Sequence, residues 1–90
     1  MAILDDVKTD LRITSTDFNS DITSAIFSAK TRMGMAGVKL IDESDPLTAQ
    51  AIKLYCRFWY NFQGDADRYR ESFNSLVNAM ALSGDYGGLL

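Results

Sequence analysis

Apolar positions recur at helical spacing in four stretches of the chain, and none alternates convincingly as a strand would. In "AILDDVKTDLR", Ile3, Leu4, Val7 and Leu11 share one face, with Asp5 and Asp6 early and Arg12 late, as a helix dipole favours. Next, Phe18, Ile22, Ala25, Ile26, Ala29 and Met33 trace a second stripe, with Phe27 and Met35 lying off it. Thr16 suits the N-cap of that helix, with Asp17 in its first turn. Gly37, ahead of Gly34, suits a left-handed C-terminal cap. "VKLIDES" breaks the pattern and reads as an ordered loop or short extended piece. Asp45 and Pro46 then supply an N-cap and a first helical residue. That third helix runs to Gln63, Gly64 closes it, and Asp65 caps a fourth. There Tyr69, Phe73, Leu76, Val77 and Met80 form the stripe.

The spans 2–12, 17–36, 46–63 and 66–82 predict an all-α fold, a small bundle of about four helices. They form a single domain over 1–82, with a flexible, glycine-bearing tail over 83–90.

The third helix contains "AIKLYCRFWYNFQGD", where five aromatics interleave with a lysine and an arginine. Such interleaving occurs on nucleic-acid surfaces, where bases stack and phosphates pair. At roughly 100° per residue, Lys53, Arg57 and Asn61 fall on one narrow line, with Gln50 beside it. Leu47, Ala51, Leu54, Tyr55, Cys56, Phe58, Trp59 and Phe62 cover most of the remaining circumference, and Tyr60 sits at the border. A helix apolar over so much of its surface belongs at the centre of the packing. Its aromatics therefore read as core rather than as a stacking platform.

Composition narrows the field. Ninety residues make one small domain, and 47% apolar content is that of a globular chain. A domain of this size has a thin stability margin of its own and gains from oligomerising. A net charge of −3 gives no whole-molecule attraction for phosphate. The one cysteine, Cys56, cannot form an internal disulfide, and the opening residues lack the basic region and long apolar run of a secretory signal. The expectation is a soluble protein made in the cytoplasm, with no membrane span.

Candidate chemistry is sparse. Without histidine, the chain lacks the usual general base and metal ligand. Cys56 lies on the apolar side of its helix and reads as a small buried hydrophobe. "DESD" at 42–45 lacks the alternating ligands and glycine of a calcium loop. "GMAG" at 34–37 has neither the spacing nor the lysine of a phosphate loop. Asp65 and Asp67 suit a helix start without any catalytic purpose. No catalytic, cofactor-binding or metal-binding residue is expected, and the chain does not read as an enzyme.

The order of local motifs goes further. "LDDVKTDLRITSTDFNSDITSAIFSAK", with its "LRI"-like helix end, acidic polar linker and "I..A" helix, resembles the opening of the head-tail connector family of tailed bacteriophages, also described as phage DNA-packaging or head-completion adaptors. "DPLTAQAIKLYCRFWYNFQGDADRYRESFNSLVNAMALSGDY" resembles it more specifically. It has a proline-started aromatic helix, a glycine-acid break, a "DRYRESFNSL" helix and a terminal "LSGDY". "MGMAGVKLI" fits the pattern least well.

The resemblance implies a structural virion protein of the phage neck, made and assembled in the host bacterial cytoplasm. It implies a homo-oligomeric ring, dodecameric to match the portal, without cofactor or catalytic residues. Its partners would be further copies of itself, the portal protein above and the next neck or tail-completion protein below. Double-stranded DNA would pass through the ring without sequence-specific binding. An acidic subunit suits such a channel, because strong phosphate contacts would hinder sliding. Phe27, Met35, Lys53 and Arg57 are then candidates for subunit contacts, and Tyr86, Leu89 and Leu90 for a tail that docks on the portal or another partner.

Two other readings fit a small helical chain. A DNA-binding regulator from a mobile element would need an exposed basic recognition helix, for which only Arg68 and Arg70 are suitably placed. A helical adaptor outside the virion is the other.

Overall fold

A computed structural model describes residues 3–83 and 86 of the chain. Helix α1 spans Ile3–Leu11, α2 Asn19–Met35, α3 Pro46–Trp59 and α4 Ala66–Leu82, with a short 3₁₀ turn at Phe62–Gly64. The described residues contain no strand. The expected all-α bundle of four helices is the fold found.

Helix α3 is the hub. It packs on α1, α2 and α4, with its closest association to α4. Its Ala51, Ile52 and Cys56 are fully buried and Tyr55 nearly so. Around them lie Val7, Ile22, Ala29 and Met33 from α1 and α2, and Phe73, Val77 and Met80 from α4. The stripes read from sequence thus meet in one core, as their helical spacing requires.

Both α1 and α2 end in Schellman caps. At α2, the Gly37 amide donates to the Gly34 carbonyl and the Val38 amide to that of Met33. Gly37 takes φ 108°, the left-handed geometry expected of it, and Val38 buries beside Met33. The same motif closes α1 through Arg12→Thr9 and Ile13→Lys8 amide-to-carbonyl bonds. There the left-handed residue is Arg12, at φ 61°.

Asp45 caps α3 as expected, its Oδ2 accepting from the Leu47 and Thr48 amides at 3.1 Å each, with Pro46 in the first turn. The loop before it is ordered. The Lys39 and Leu40 amides both donate to the Tyr86 carbonyl, and Asp42 accepts from the amide and hydroxyl of Ser44.

Three boundaries differ from the expectation. Helix α2 begins at Asn19 because Ser15–Phe18 form a turn instead. The Asp17 amide donates to Ser15 Oγ, and the Asn19 amide to the Thr16 carbonyl. Phe18, not Thr16, occupies the capping position, and it is 50% exposed rather than part of the buried stripe. Helix α3 stops at Trp59, four residues early, because Asn61 turns left-handed at φ 48°. Asn tolerates that geometry better than most residues. The α4 amide Ala66 is capped by Asn61 Oδ1 at 3.1 Å, whereas the Asp65 side chain makes no capping bond.

Candidate functional site

Arginine 57 was expected on the solvated edge of α3. Instead its guanidinium is fixed within the chain. Nε donates to Asp10 Oδ2 at 2.7 Å and an Nη to Oδ1 at 2.6 Å, a two-pronged ion pair from α3 to α1. Its Cζ lies 5.6 Å from the Phe62 ring centre and 5.2 Å from that of Tyr69. The carboxylate of Asp10 pushes the guanidinium pKa further up. One side chain thereby ties together α1, α3, the 3₁₀ turn and α4. Lys53, a turn earlier, is half-buried beside Asp5, Asp6, Thr9 and Asp10 of α1.

On the other side of α3, α2 and α4 flank a groove whose floor is Tyr55 and Phe58. Arg32 of α2 crosses it. Its Nε donates to the Tyr55 hydroxyl at 3.1 Å, and its Cζ lies 5.8 Å from the Tyr55 ring centre. The groove continues in one direction along Phe73, Asn74, Val77 and Asn78 of α4. In the other it opens into a hollow of about 430 Å³ bordered by Phe27, Thr31, Met35 and Trp59. Phe27 is 71% exposed and Met35 81%. These two lie outside the core as their position off the stripe predicted. Trp59, expected to pack inward, is 40% exposed at the rim. Leu47 also departs from the expected core at 43%.

Other candidates from the sequence resolve into structure. Cys56 is fully buried, and burial, with the nearby Asp10 charge, pushes its thiol pKa up to about 12. A thiol held so firmly protonated is a poor nucleophile. In "DESD", Asp42 serves Ser44, Glu43 pairs with Lys30, and Asp45 caps α3. Tyr60 donates to Asp21 of α2. Burial is the main cause that raises its phenol pKa, and the Asp21 carboxylate adds to it. Tyr86 packs against the core, and its hydroxyl lies 3.0 Å from both carboxylate oxygens of Asp45. Leu89 and Leu90 lie outside the described residues. No group of three or more Cys, Asp or Glu among the described residues is arranged to hold a metal ion. None of their helices is long and apolar enough to cross a membrane.

Sequence reasoning missed the intramolecular use of Arg57 and the capping use of Asn61. The second had a signal, since Asn is both a preferred N-cap and the side chain best suited to a left-handed turn. The first required knowing that α1 lies across the middle of α3.

Among the described residues the hub leaves one apolar groove rimmed by Phe27, Met35 and Trp59 uncovered, a surface suited to contact with another protein. The family model for phage connector proteins matches residues 3–87, nearly the whole chain, and the chain belongs to that family. It is therefore a connector component of a phage particle, of a structural kind, whose partners are other head or tail proteins. No curated protein and no solved structure matches the chain significantly.

Proposed function

We propose that this chain is the repeating subunit of a ring seated beneath the portal, through which double-stranded DNA passes, and that it completes the head and provides the attachment for the tail. The observation that carries the reading is the uncovered apolar rim of Phe27, Met35 and Trp59 on a member of the connector family. Large apolar side chains grouped on one surface mark a protein–protein contact. Head-to-tail contacts between identical subunits close into a ring when the rotation allows it.

The charge balance supports passive passage of DNA. The net charge is −3, and Arg57 and Lys30 are paired with carboxylates of their own chain. A ring of such subunits offers few phosphate contacts to slow the duplex. The assigned neighbours are the portal on one side and the next neck or tail-completion protein on the other. Assembly takes place in the host bacterial cytoplasm, and the copy number that matches a dodecameric portal is twelve.

Native mass spectrometry of the protein with and without its portal protein tests this reading. A portal-bound ring of a single stoichiometry is the expected result. A persistent monomer that never binds portal would overturn it.

A further inference from the structure

We infer that the groove of one copy receives the Asp17–Phe18 corner of the next copy, so that neighbouring subunits join knob into groove. The inference rests on the ring reading above and names the surfaces that would make the ring.

The knob is Phe18. It is half-exposed at the start of α2, between the exposed carboxylates of Asp17 and Asp21. It is also held rigidly, since its carbonyl accepts from the Ile22 amide at 2.8 Å, and the turn before it is fixed by the Ser15–Asp17 bond. A large apolar side chain offered on a rigid turn loses little entropy on docking.

The groove is complementary in both shape and charge. Phe27, Met35 and Trp59 supply an apolar rim, and Arg32 lies along it with Arg70 farther up the same channel. Among the described residues, Arg32 has no carboxylate partner. It bonds only a neutral phenol, so its charge is available to an incoming Asp17. An aromatic flanked by carboxylates meeting an apolar cleft that carries the Arg32 guanidinium is complementary in sign there, while Arg70 already lies 3.7 Å from Asp67 of its own helix.

Knob and groove also lie on different sides of the molecule. Phe18 and Phe27 are nine residues apart, about two and a half helical turns, which places them on opposite sides of α2. A contact between them is therefore heterologous. It propagates from copy to copy instead of closing on itself as a two-fold pair.

Cross-linking tests this with the full chain. Copies carrying Phe18→Cys are mixed with copies carrying Met35→Cys and oxidised, with Cys56 left in place because it is buried. The control mixture pairs Phe18→Cys with Ser75→Cys on the exposed far side of α4. The expected result is a mixed dimer well above the control yield. Adding Arg32→Glu to the Met35→Cys copy should lower that yield about fivefold, the scale of a favourable surface ion pair. Adding Asp17→Lys to the other copy should restore it. Asp17→Cys with Thr31→Cys repeats the test at two exposed positions, should Phe18→Cys fail to fold.

A yield no higher than the control, or one indifferent to Arg32→Glu, would overturn the inference. So would dominant Met35–Met35 linkage, which would mean a two-fold contact. Protection of Met35→Cys by portal protein alone would make a head protein the occupant instead. A portal-bound ring that forms without this cross-link sinks the inference and leaves the proposed function standing. The cross-link without any portal-bound ring does the reverse.

Discussion

Arg57 and Asp10, 47 residues apart in sequence, meet in a two-pronged ion pair that bolts α1 to the hub helix. Their side chains are 31% and 18% exposed, so the pair is neither a surface ornament nor fully desolvated. We expect Arg57→Ala to cost about 1–2 kcal/mol, between an exposed pair and a buried charged hydrogen bond. Arg57→Lys should recover little of it, because an ammonium cannot reproduce the fork. Urea denaturation of Arg57→Ala, Asp10→Ala and the double variant gives the coupling directly. Additive losses would mean that the pair contributes nothing.

A second prediction concerns the end of α1. Arg12 holds a left-handed conformation that costs a side-chain-bearing residue about 1–2 kcal/mol and glycine almost nothing. Arg12→Gly should therefore stabilise the protein by about 1 kcal/mol, whereas Gly37→Ala at the equivalent place after α2 should destabilise it. At Gly37 an added Cβ would also sit 3.5 Å from that of Ala81, an ordinary contact, so backbone strain is the term being measured. Thermal melts of the two variants should shift in opposite directions.

Stability should fall at both ends of the pH range. Asp45 is held below the ordinary 3.8 chiefly by the Thr48 amide, with the Tyr86 hydroxyl adding to it, and Asp42 is held down by Ser44. A carboxylate whose pKa is depressed on folding stabilises above its unfolded value, and that contribution is lost as pH falls through the folded one. Acid should therefore loosen the start of α3 below about pH 4. Asp45→Asn keeps a capping oxygen without the charge and should flatten this limb. On the alkaline side the signs reverse. The Cys56 thiol rises from 9.0 to about 12 on folding, so its contribution is intact below 9.0 and is lost as pH climbs towards 12. Urea midpoints measured across pH should begin to fall above 9.0, and Cys56→Ala should remove that first part while leaving the further fall above 10.0 that the raised Tyr60 phenol contributes.

The groove should be separable from the fold. Phe27→Ser and Met35→Ser alter side chains that are 71% and 81% exposed, and should change stability by less than about 0.5 kcal/mol. The same substitutions should abolish or sharply weaken portal-dependent assembly, read by native mass spectrometry. Intact assembly with both residues replaced would remove this face from the contact.

Local chemistry made much of this structure legible. Asp45 with Pro46, and Gly37 after α2, announce helix ends through side chains whose geometry is nearly self-sufficient, and both sit where the sequence places them. Fourfold apolar periodicity gave the core for the same reason, since a helix fixes which residues share a face. What periodicity cannot carry is the direction from which a neighbour arrives. Arg57 lies on a polar line by the wheel, yet a helix of the same chain covers that line. Trp59 lies on an apolar arc, yet among the described residues no helix covers its far side, and it becomes a rim residue. Phe18 keeps the period of its stripe but stands one residue before the helix that would have buried it. Phe27 and Met35 were found as surface residues because lying off the stripe is itself a local property.

Asp45 also has a consequence in time. Its carboxylate opens α3 and meets the hydroxyl of Tyr86, while the carbonyl of Tyr86 holds the amides of Lys39 and Leu40. The two residues stand 41 positions apart, so their contact closes a long loop and forms only after the local turns and helices have. The segment from Lys39 to Asp45 is therefore fastened along its length only once residue 86 has docked. A loop in the first half of the fold thus takes its final shape from a residue far along the sequence.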